Sequence, residues 1–486
     1  MDSLVIGVDS STQSTKAAVV DAATGRLLAV GRAPHTVTGE GGARESDALQ
    51  WWDALVEAVS AGLKEAGADP RAVTGIAVAG QQHGLVILDR AGRPLRPALL
   101  WNDTRSAPQA AALTGELGAA AWLERTGSVP VASMTAAKWR WLRENEPRTA
   151  GAAAAVRLPH DYLTERLAGT AATDPGDASG TCWYSTATGA YDSGLLDLLG
   201  LDASLLPRLA PSGGTRVGTL TAEAAEALGL PAGTAVAAGT GDNMAAAVGL
   251  GFGAAGLLDH PAVSLGTSGT VFAATRTRPA TAALAGFAAA DGHGTYLPLG
   301  CTLNCTLAVD RIAALLGLDR EDARPGGEAV VLPYLDGERT PDLPGASGLM
   351  TGLRHTTAPE QLLGAAYEGA VFALLRALEA LPGGGGGDAP LRLVGGGARG
   401  RFWVETVRRL SGRAVVLPRT TELVAVGAAA LAAGAAGAGD PVAVAAGWRT
   451  GEGETLPPVA PDRDTLDRIA AVLDRATALL TTQGHR

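Results

Sequence analysis

The chain has 486 residues, 47 % of them hydrophobic and 18 % charged, and a formal net charge of −10. At roughly 150 residues per domain, that length calls for more than one core. The acidic balance lacks the clustered Lys and Arg that phosphate contacts need, which excludes nucleic acid as a partner. No stretch has the length and unbroken apolarity of a membrane span, so no membrane is expected either.

Residues 4–8 are apolar and read as a strand, so no leader is expected and the cytoplasm is the expected compartment. Asp9 opens a polar turn that runs to Thr15, and residues 16–20 return as a second strand. A carboxylate there suits Mg²⁺ held through water, beside phosphates cradled by turn amides. An Asx-turn that stabilises its own hairpin is the plainer reading. Thr12 and Ser14 add hydroxyls, and Lys16 adds a cation that would suit an exposed strand edge equally well.

Residues 51–62 have the periodicity of an amphipathic helix, and residues 72–79 that of a strand. Gln82 and His83 follow that strand and offer donors and acceptors to hydroxyl groups, although a core histidine satisfied by backbone reads the same way. Trp101 suits packing on the carbon face of a sugar, with Asn102, Asp103 and Arg105 as a polar network. A core tryptophan and a structural Asp103–Arg105 pair are the alternatives.

Residues 234–238 form a short apolar strand, Gly239 and Gly241 mark a tight turn, and Asp242 and Asn243 open a helix. A helix N-terminus holds an acid rigidly and favours its ionised form. Asp242 is therefore a candidate base, with an N-cap as the alternative. Residues 262–274 repeat the strand–turn–strand pattern around Gly266, Thr267, Ser268 and Gly269. The recurrence points to an internal duplication with halves at 1–249 and 250–486, whose turns would grip one triphosphate from opposite sides.

Cys301 and Cys305 have a spacing seen in metal sites, but nothing nearby completes four ligands, so both are expected in the core. With Cys182 they make an odd set that builds no disulfide framework. Residues 383–387 are glycines and read as a flexible connector. Residues 391–394 form a strand, followed by Gly395, Gly396, Gly397 and Arg399 and then a helix at 402–410. Those glycines let backbone approach a flat or anionic ligand, in neither Walker A nor Rossmann spacing. A long Ala/Gly helix is expected at 424–438 and frayed chain at 483–486. The alternation throughout is that of an α/β protein.

Taken together, Gly7-Val-Asp9-Ser-Ser-Thr12, Gly80-Gln-Gln-His-Gly84, Trp101-Asn-Asp-Thr-Arg105, Gly239-Thr-Gly-Asp-Asn243, Ser264-Leu-Gly-Thr-Ser-Gly269 and Val394-Gly-Gly-Gly-Ala-Arg399 resemble the FGGY family of carbohydrate kinases, in their order and over nearly the whole chain. With Asp177-Ala-Ser-Gly-Thr181, the resemblance is closest to members that act on xylulose. It implies two ribonuclease-H-like domains of the actin/Hsp70/sugar-kinase superfamily flanking a central cleft, with ATP and Mg²⁺ as cofactors. It further implies Asp242 as general base, Gln82, His83 and Asn243 on the ketose, and Asp9 supporting Mg²⁺–ATP. Thr12 and Thr267 would hold phosphates, and Gly395–Gly397 would lie by the adenosine. Two residues depart from the pattern: Gln82 stands where many bacterial members have Met, and His160 where many have Lys. The resemblance gives His160 no role. Other substrates of the family (ribulose, gluconate, glycerol, a deoxyketose) stay open, as does a homodimer. A non-catalytic actin- or Hsp70-like module and a sugar-sensing repressor are the rivals of another class. No basic helix-turn-helix precedes the first hairpin to support the repressor.

Overall fold

In the computed structural model, which describes residues 3–482 apart from 280 and 344, the N-terminal apolar segments form a meander of β1 (Leu4–Ser10), β2 (Ser14–Asp21) and β3 (Leu27–Pro34). Strand β4 (Val73–Gly80) lies parallel to β1. Strand β5 (Arg216–Thr219) pairs antiparallel with β6 (Ala235–Ala237), which runs parallel to β4. The strand order is β5-β6-β4-β1-β2-β3. Every residue of β1 is buried, because a helix covers each face of the sheet.

On one face lies the helix Ala48–Ala66, whose Trp51, Leu55 and Val59 share a core with Ile6, Val8 and Ile76. It is longer than the expected 51–62. Asp47 starts it by accepting a hydrogen bond from the Leu49 amide, and Gly67 ends it in the left-handed region at φ 58°. On the other face lies the helix Leu423–Ala433. It approaches so closely that a Cβ on Gly7 would sit 1.8 Å from the Ala425 carbonyl oxygen. The expected helix at 424–438 stops short of its predicted end. Residues Gly434–Ala438 wind into a wider π turn in which Gly437 takes φ 101°.

Two compact units share the chain. The first comprises residues 1–258, 274–297 and 422–451, and the second residues 259–273, 298–421 and 452–486. The covering helix Leu423–Ala433, late in sequence, is therefore part of the first unit. In the second unit β7 (Pro261–Leu265), β8 (Gly269–Ala273) and β9 (Tyr296–Thr302) form a second meander. Strand β10 (Leu391–Val394) runs parallel to β7, and β11 (Val415–Pro418) parallel to β10. Strand β12 (Gly453–Leu456) closes the edge, antiparallel to β11. An antiparallel meander whose first strand continues into parallel neighbours recurs in both units, which bears out the α/β class and the duplicated ribonuclease-H-like topology.

Cys182 and Cys305 are buried, and Cys301 is partly exposed; all are free thiols. The glycine run at 383–387 takes positive φ at every residue, from 55° to 77°, a left-handed path natural to glycine alone. The expected frayed end at 483–486 lies outside the described residues.

The helix Asp242–Gly249 is pressed against Leu423–Ala433 through glycines of both helices. A Cβ on Gly427 would lie 1.8 Å from the Ala245 carbonyl oxygen, and one on Gly249 would lie 2.3 Å from that of Leu423. Alanine would favour the Gly427 helix by about 1 kcal/mol in propensity. Overpacking against rigid backbone opposes this by about 1–3 kcal/mol. The clash should win, so Gly427→Ala is expected to lower the melting temperature. An unchanged or raised melting temperature would show that the helices separate freely.

Candidate active site

Strand β1 ends by placing Asp9 opposite Lys16 of β2. The Asp9 carboxylate accepts from the Ser11 hydroxyl at 2.6 Å and faces the Lys16 ammonium at 3.7 Å. Lys16 is held more closely by Glu422, at 2.9 Å, and Glu422 also pairs with Arg32. Burial raises the Asp9 carboxyl above the usual carboxylate range, although Lys16 and Ser11 pull the other way. The Lys16 charge is thus shared with two carboxylates rather than spent on solvent. Glu422, 406 positions away, is a partner that no local pattern revealed. Thr12 accepts from the Trp101 indole at 3.0 Å, and Ser14 opens β2.

The run after β6 makes a short bridge at Thr240–Gly241 beside the end of β4 and then starts the helix Asp242–Gly249. Gly239 takes φ 77°, where a side chain would also strike the Val78 carbonyl oxygen. Asp242 is the first helical residue, and Gly241 occupies the cap position. The Asp242 carboxylate engages the next residue: its Oδ1 accepts from the Asn243 backbone N–H at 2.8 Å and from Asn243 Nδ2 at 3.1 Å. Loss of hydration, then the charges of Asp9 and Asp177, push its pKa up to about 7. An acid poised there exchanges a proton near neutral pH.

Gln82 and Asn243 meet directly, Asn243 Nδ2 donating to Gln82 Oε1 at 2.8 Å. His83 sits in the left-handed region at φ 66°, an uncommon conformation for a residue with a Cβ. Its Nδ1 donates to the Gly180 carbonyl at 3.0 Å, and its ring packs 5.5 Å from that of Phe287. Gln82, His83, Asp242 and Asn243 thus gather in one place, with Asp9 near enough to raise the Asp242 pKa.

Behind them lies a buried charge cluster. His160 Nδ1 donates to Asp177 Oδ2 at 2.7 Å, and its Nε2 stands 3.1 Å from Asp161 and 3.9 Å from Asp174. None of these four side chains is more than 1 % exposed. Asp174 caps the short helix Pro175–Ala178 and accepts from Thr240 at 2.8 Å, which ties the cluster to the Asp242 turn. Sequence reading flagged His160 without a role and quoted Asp177 only as part of a motif; their pairing is a tertiary fact.

Trp101 is 38 % exposed, as a platform requires. Asp103 is buried and fully engaged, accepting from the Arg44 and Arg105 backbone amides and from the Arg105 guanidinium. Burial works against its charge, but these donors win and hold the carboxyl below its usual range. Its geometry is that of the structural pair and not of a sugar contact.

In the second unit the turn at Gly266–Gly269 joins β7 to β8, with Thr267 exposed and Ser268 partly so. The Gly266 carbonyl accepts from the Thr306 amide and hydroxyl at 3.0 and 2.8 Å. Gly395 and Gly397 pack on the end of β7: added Cβ atoms would fall 2.9 and 2.7 Å from Leu265. The structure therefore brings these two turns together, with Gly395, Gly396 and Arg399 exposed beside them. Among the described residues no cluster of three or more His, Cys, Asp or Glu forms a metal cage, and no single helix is long and apolar enough to cross a membrane.

The chain matches the models of the FGGY family of carbohydrate kinases, the N-terminal domain over residues 4–249 and the C-terminal domain over residues 262–436. It is 58 % identical to a xylulose kinase of Streptomyces rubiginosus over 98 % of this chain and 97 % of that one. It is 34 % identical to a xylulose kinase of Escherichia coli (strain K12), over 84 % and 85 %. The crystal structure of xylulose kinase from Bifidobacterium adolescentis superposes with a TM-score of 0.78 at 33 % identity, covering 97 % of this chain and 99 % of that one. The fold alone is shared with gluconate kinase from Lactobacillus acidophilus, at a TM-score of 0.89 and 21 % identity over 100 % and 99 %. On both its halves and nearly its full length, the chain belongs to the FGGY family of carbohydrate kinases.

Proposed function

We propose that this kinase transfers the γ-phosphoryl group of ATP to D-xylulose, giving D-xylulose 5-phosphate, with Asp242 as general base. The observation that carries the reading is Asp242 at the first helical position, raised to about pKa 7 beside the Gln82–Asn243 pair. The names of the relatives at 58 % and 34 % identity supply the sugar. Phosphoryl transfer asks a protein mainly for positioning and charge neutralisation. Gln82, His83, Asn243 and Trp101 hold the sugar in this reading, and Asp242 takes the hydroxyl proton as the new P–O bond forms. Thr12, Ser14, Thr267 and Ser268 offer hydroxyls and turn amides to phosphates, and Gly395, Gly396, Gly397 and Arg399 receive the adenosine. Asp103 serves by holding its own loop.

Mg²⁺ fits the donor set. It is bound through one or two carboxylates together with waters and substrate phosphates, so no protein cage is required. Asp9 raises the proton affinity of Asp242, and Glu422 that of Asp9, which is the electrostatic setting a cation relieves. Asp9 would hold it through water. When bound, it neutralises charge on the phosphates.

The functional halves are assigned at 1–249, for the sugar, the first phosphate hairpin and the base, and at 250–486, for the second phosphate hairpin and the adenosine. The cytoplasm, where ATP is abundant and thiols stay reduced, is the assigned compartment. A homodimer is the assembly to check by light scattering.

The deciding experiment is ADP release across xylulose, ribulose, gluconate, glycerol and a deoxyketose. Xylulose should give the highest kcat/KM, and a clear preference for another would replace it. Asp242→Asn is expected to lower kcat by on the order of 10²–10⁴. Because the folded pKa lies above the model value of 3.8, ionising Asp242 opposes folding increasingly from pH 4 to pH 7. The same variant should therefore melt higher than wild type at pH 8 and equally at pH 4. For the wild type, kcat/KM should rise with pH through a limb near 7, as the base loses its proton. A flat profile from pH 6 to 8 would exclude Asp242 as that base.

A further inference from the structure

The Gln82 and Asp177 side chains meet at the same glycine, and each carries a buried polar atom without a hydrogen-bond partner: Gln82 Nε2, a donor, and Asp177 Oδ1, an acceptor. A Cβ on Gly241 would lie 2.7 Å from Gln82 Cγ and 3.1 Å from Asp177 Oδ1. Gln82 is 4 % exposed and Asp177 is fully buried, so neither atom turns to bulk water. The other end of each group is already fixed. Asp177 Oδ2 accepts from His160, and Gln82 Oε1 accepts from Asn243, whose Nδ2 also donates to Asp242.

We propose that His160 and Asp177 are positioning residues for the sugar: His160 fixes Asp177, whose free oxygen sets the orientation of the Gln82 amide, and Gln82 in turn orients Asn243 beside Asp242. This rests on the reading of Gln82 and Asn243 as sugar contacts.

The bare glycines make the arrangement possible. A Cβ on Gly80 would lie 3.0 Å from that of His160, and one on Gly239 would lie 3.2 Å from the His160 ring. With Gly241, they clear space at the strand ends for an imidazole, a carboxylate and an amide. The charge on His160 follows from its surroundings. Burial alone would discharge the ring, but Asp161, Asp177 and Asp174 outweigh it and hold the pKa at about 9. His160 donates to Asp177 Oδ2 and leaves Oδ1 as an acceptor against Gly241, where the Gln82 side chain also packs.

The test is a double-mutant cycle on the full-length enzyme, with His160→Gln, Gln82→Met and the pair, read as sugar KM, ATP KM and kcat. If His160 acts through Gln82, His160→Gln should raise the sugar KM by about 10-fold or more and leave the ATP KM within about 2-fold, since small misplacements at a site carry penalties up to about 10²-fold. In the Gln82→Met background the same change should cost less than about 2-fold, because coupled residues are not additive. His160→Lys, which keeps a cation, should recover most of the sugar KM. Equal losses in both backgrounds, or a rise in ATP KM of the same size, would overturn the proposal. Should His160→Gln fail to fold, Asp177→Asn, of nearly the same shape, enters the cycle with the same expectations. A wild type that prefers another sugar would overturn the xylulose assignment alone, and the cycle is then read with that sugar.

Discussion

The active unit gathers more carboxylates than cations. Asp9 acts on Asp242, Asp242 feels Asp177, and Asp177 shares His160 with Asp161 and Asp174; Lys16 stands beside Asp9, so two cations serve five carboxylates. The imbalance raises the proton affinity of Asp242. An aspartate at its usual pKa is a poor proton acceptor from an alcohol; one pushed to about 7 is matched to neutral pH. In the proposed function, the same excess of negative charge would favour a divalent cation with its phosphates. Asp161 and Asp174 are therefore also a burden on folding at neutral pH, because burial raises the proton affinity of each to about 6.

Close backbone packing offsets that burden. Gly7, Gly427 and Gly249 let helices sit on β1 and on one another at distances that no Cβ would allow. Dispersion between closely packed backbones then accumulates over the whole interface. It also fixes the helix that starts with Asp242 in direction and depth. The Asn243 bonds engage only Oδ1 of Asp242, and the clamped helix holds the rest of the carboxylate in place. The glycine and alanine richness of the sequence therefore has a structural cause at these positions, whatever the base composition of its genome adds.

What the sequence made legible was local. The strand at 391–394, the turn after it and the helix that begins at Asp242 each follow from a few consecutive residues, and each appears where expected. Asp103 and Arg105 are two positions apart, so their ion pair was open to view as one of two readings, and it is the pair that forms. The missed features are separated by long stretches of chain. Lys16 finds Glu422 only because the helix Leu423–Ala433 returns to cover β1. His160 finds Asp177 because a helix and a cap turn meet beneath the end of β4. Periodicity carries no information about such meetings, and helix ends were misjudged for a related reason. Gly437 breaks the 424–438 helix through its backbone freedom, which an Ala/Gly run does not localise.

Gln82 brings these strands of argument together. A buried amide nitrogen without a partner costs about 1–3 kcal/mol, and so does a buried carboxylate oxygen without a donor. The two side chains meet at Gly241, which confines two unfavourable groups to one small region. Any movement or ligand hydroxyl that satisfies the two at once recovers that energy. A thioether at position 82 would carry no such deficit and would gain nothing from a fixed acceptor. The polar residue at 82 and the imidazole at 160 are thus consistent with one another: the amide gains from an acceptor held in place, and the His160 hydrogen bond is what holds Asp177 in place.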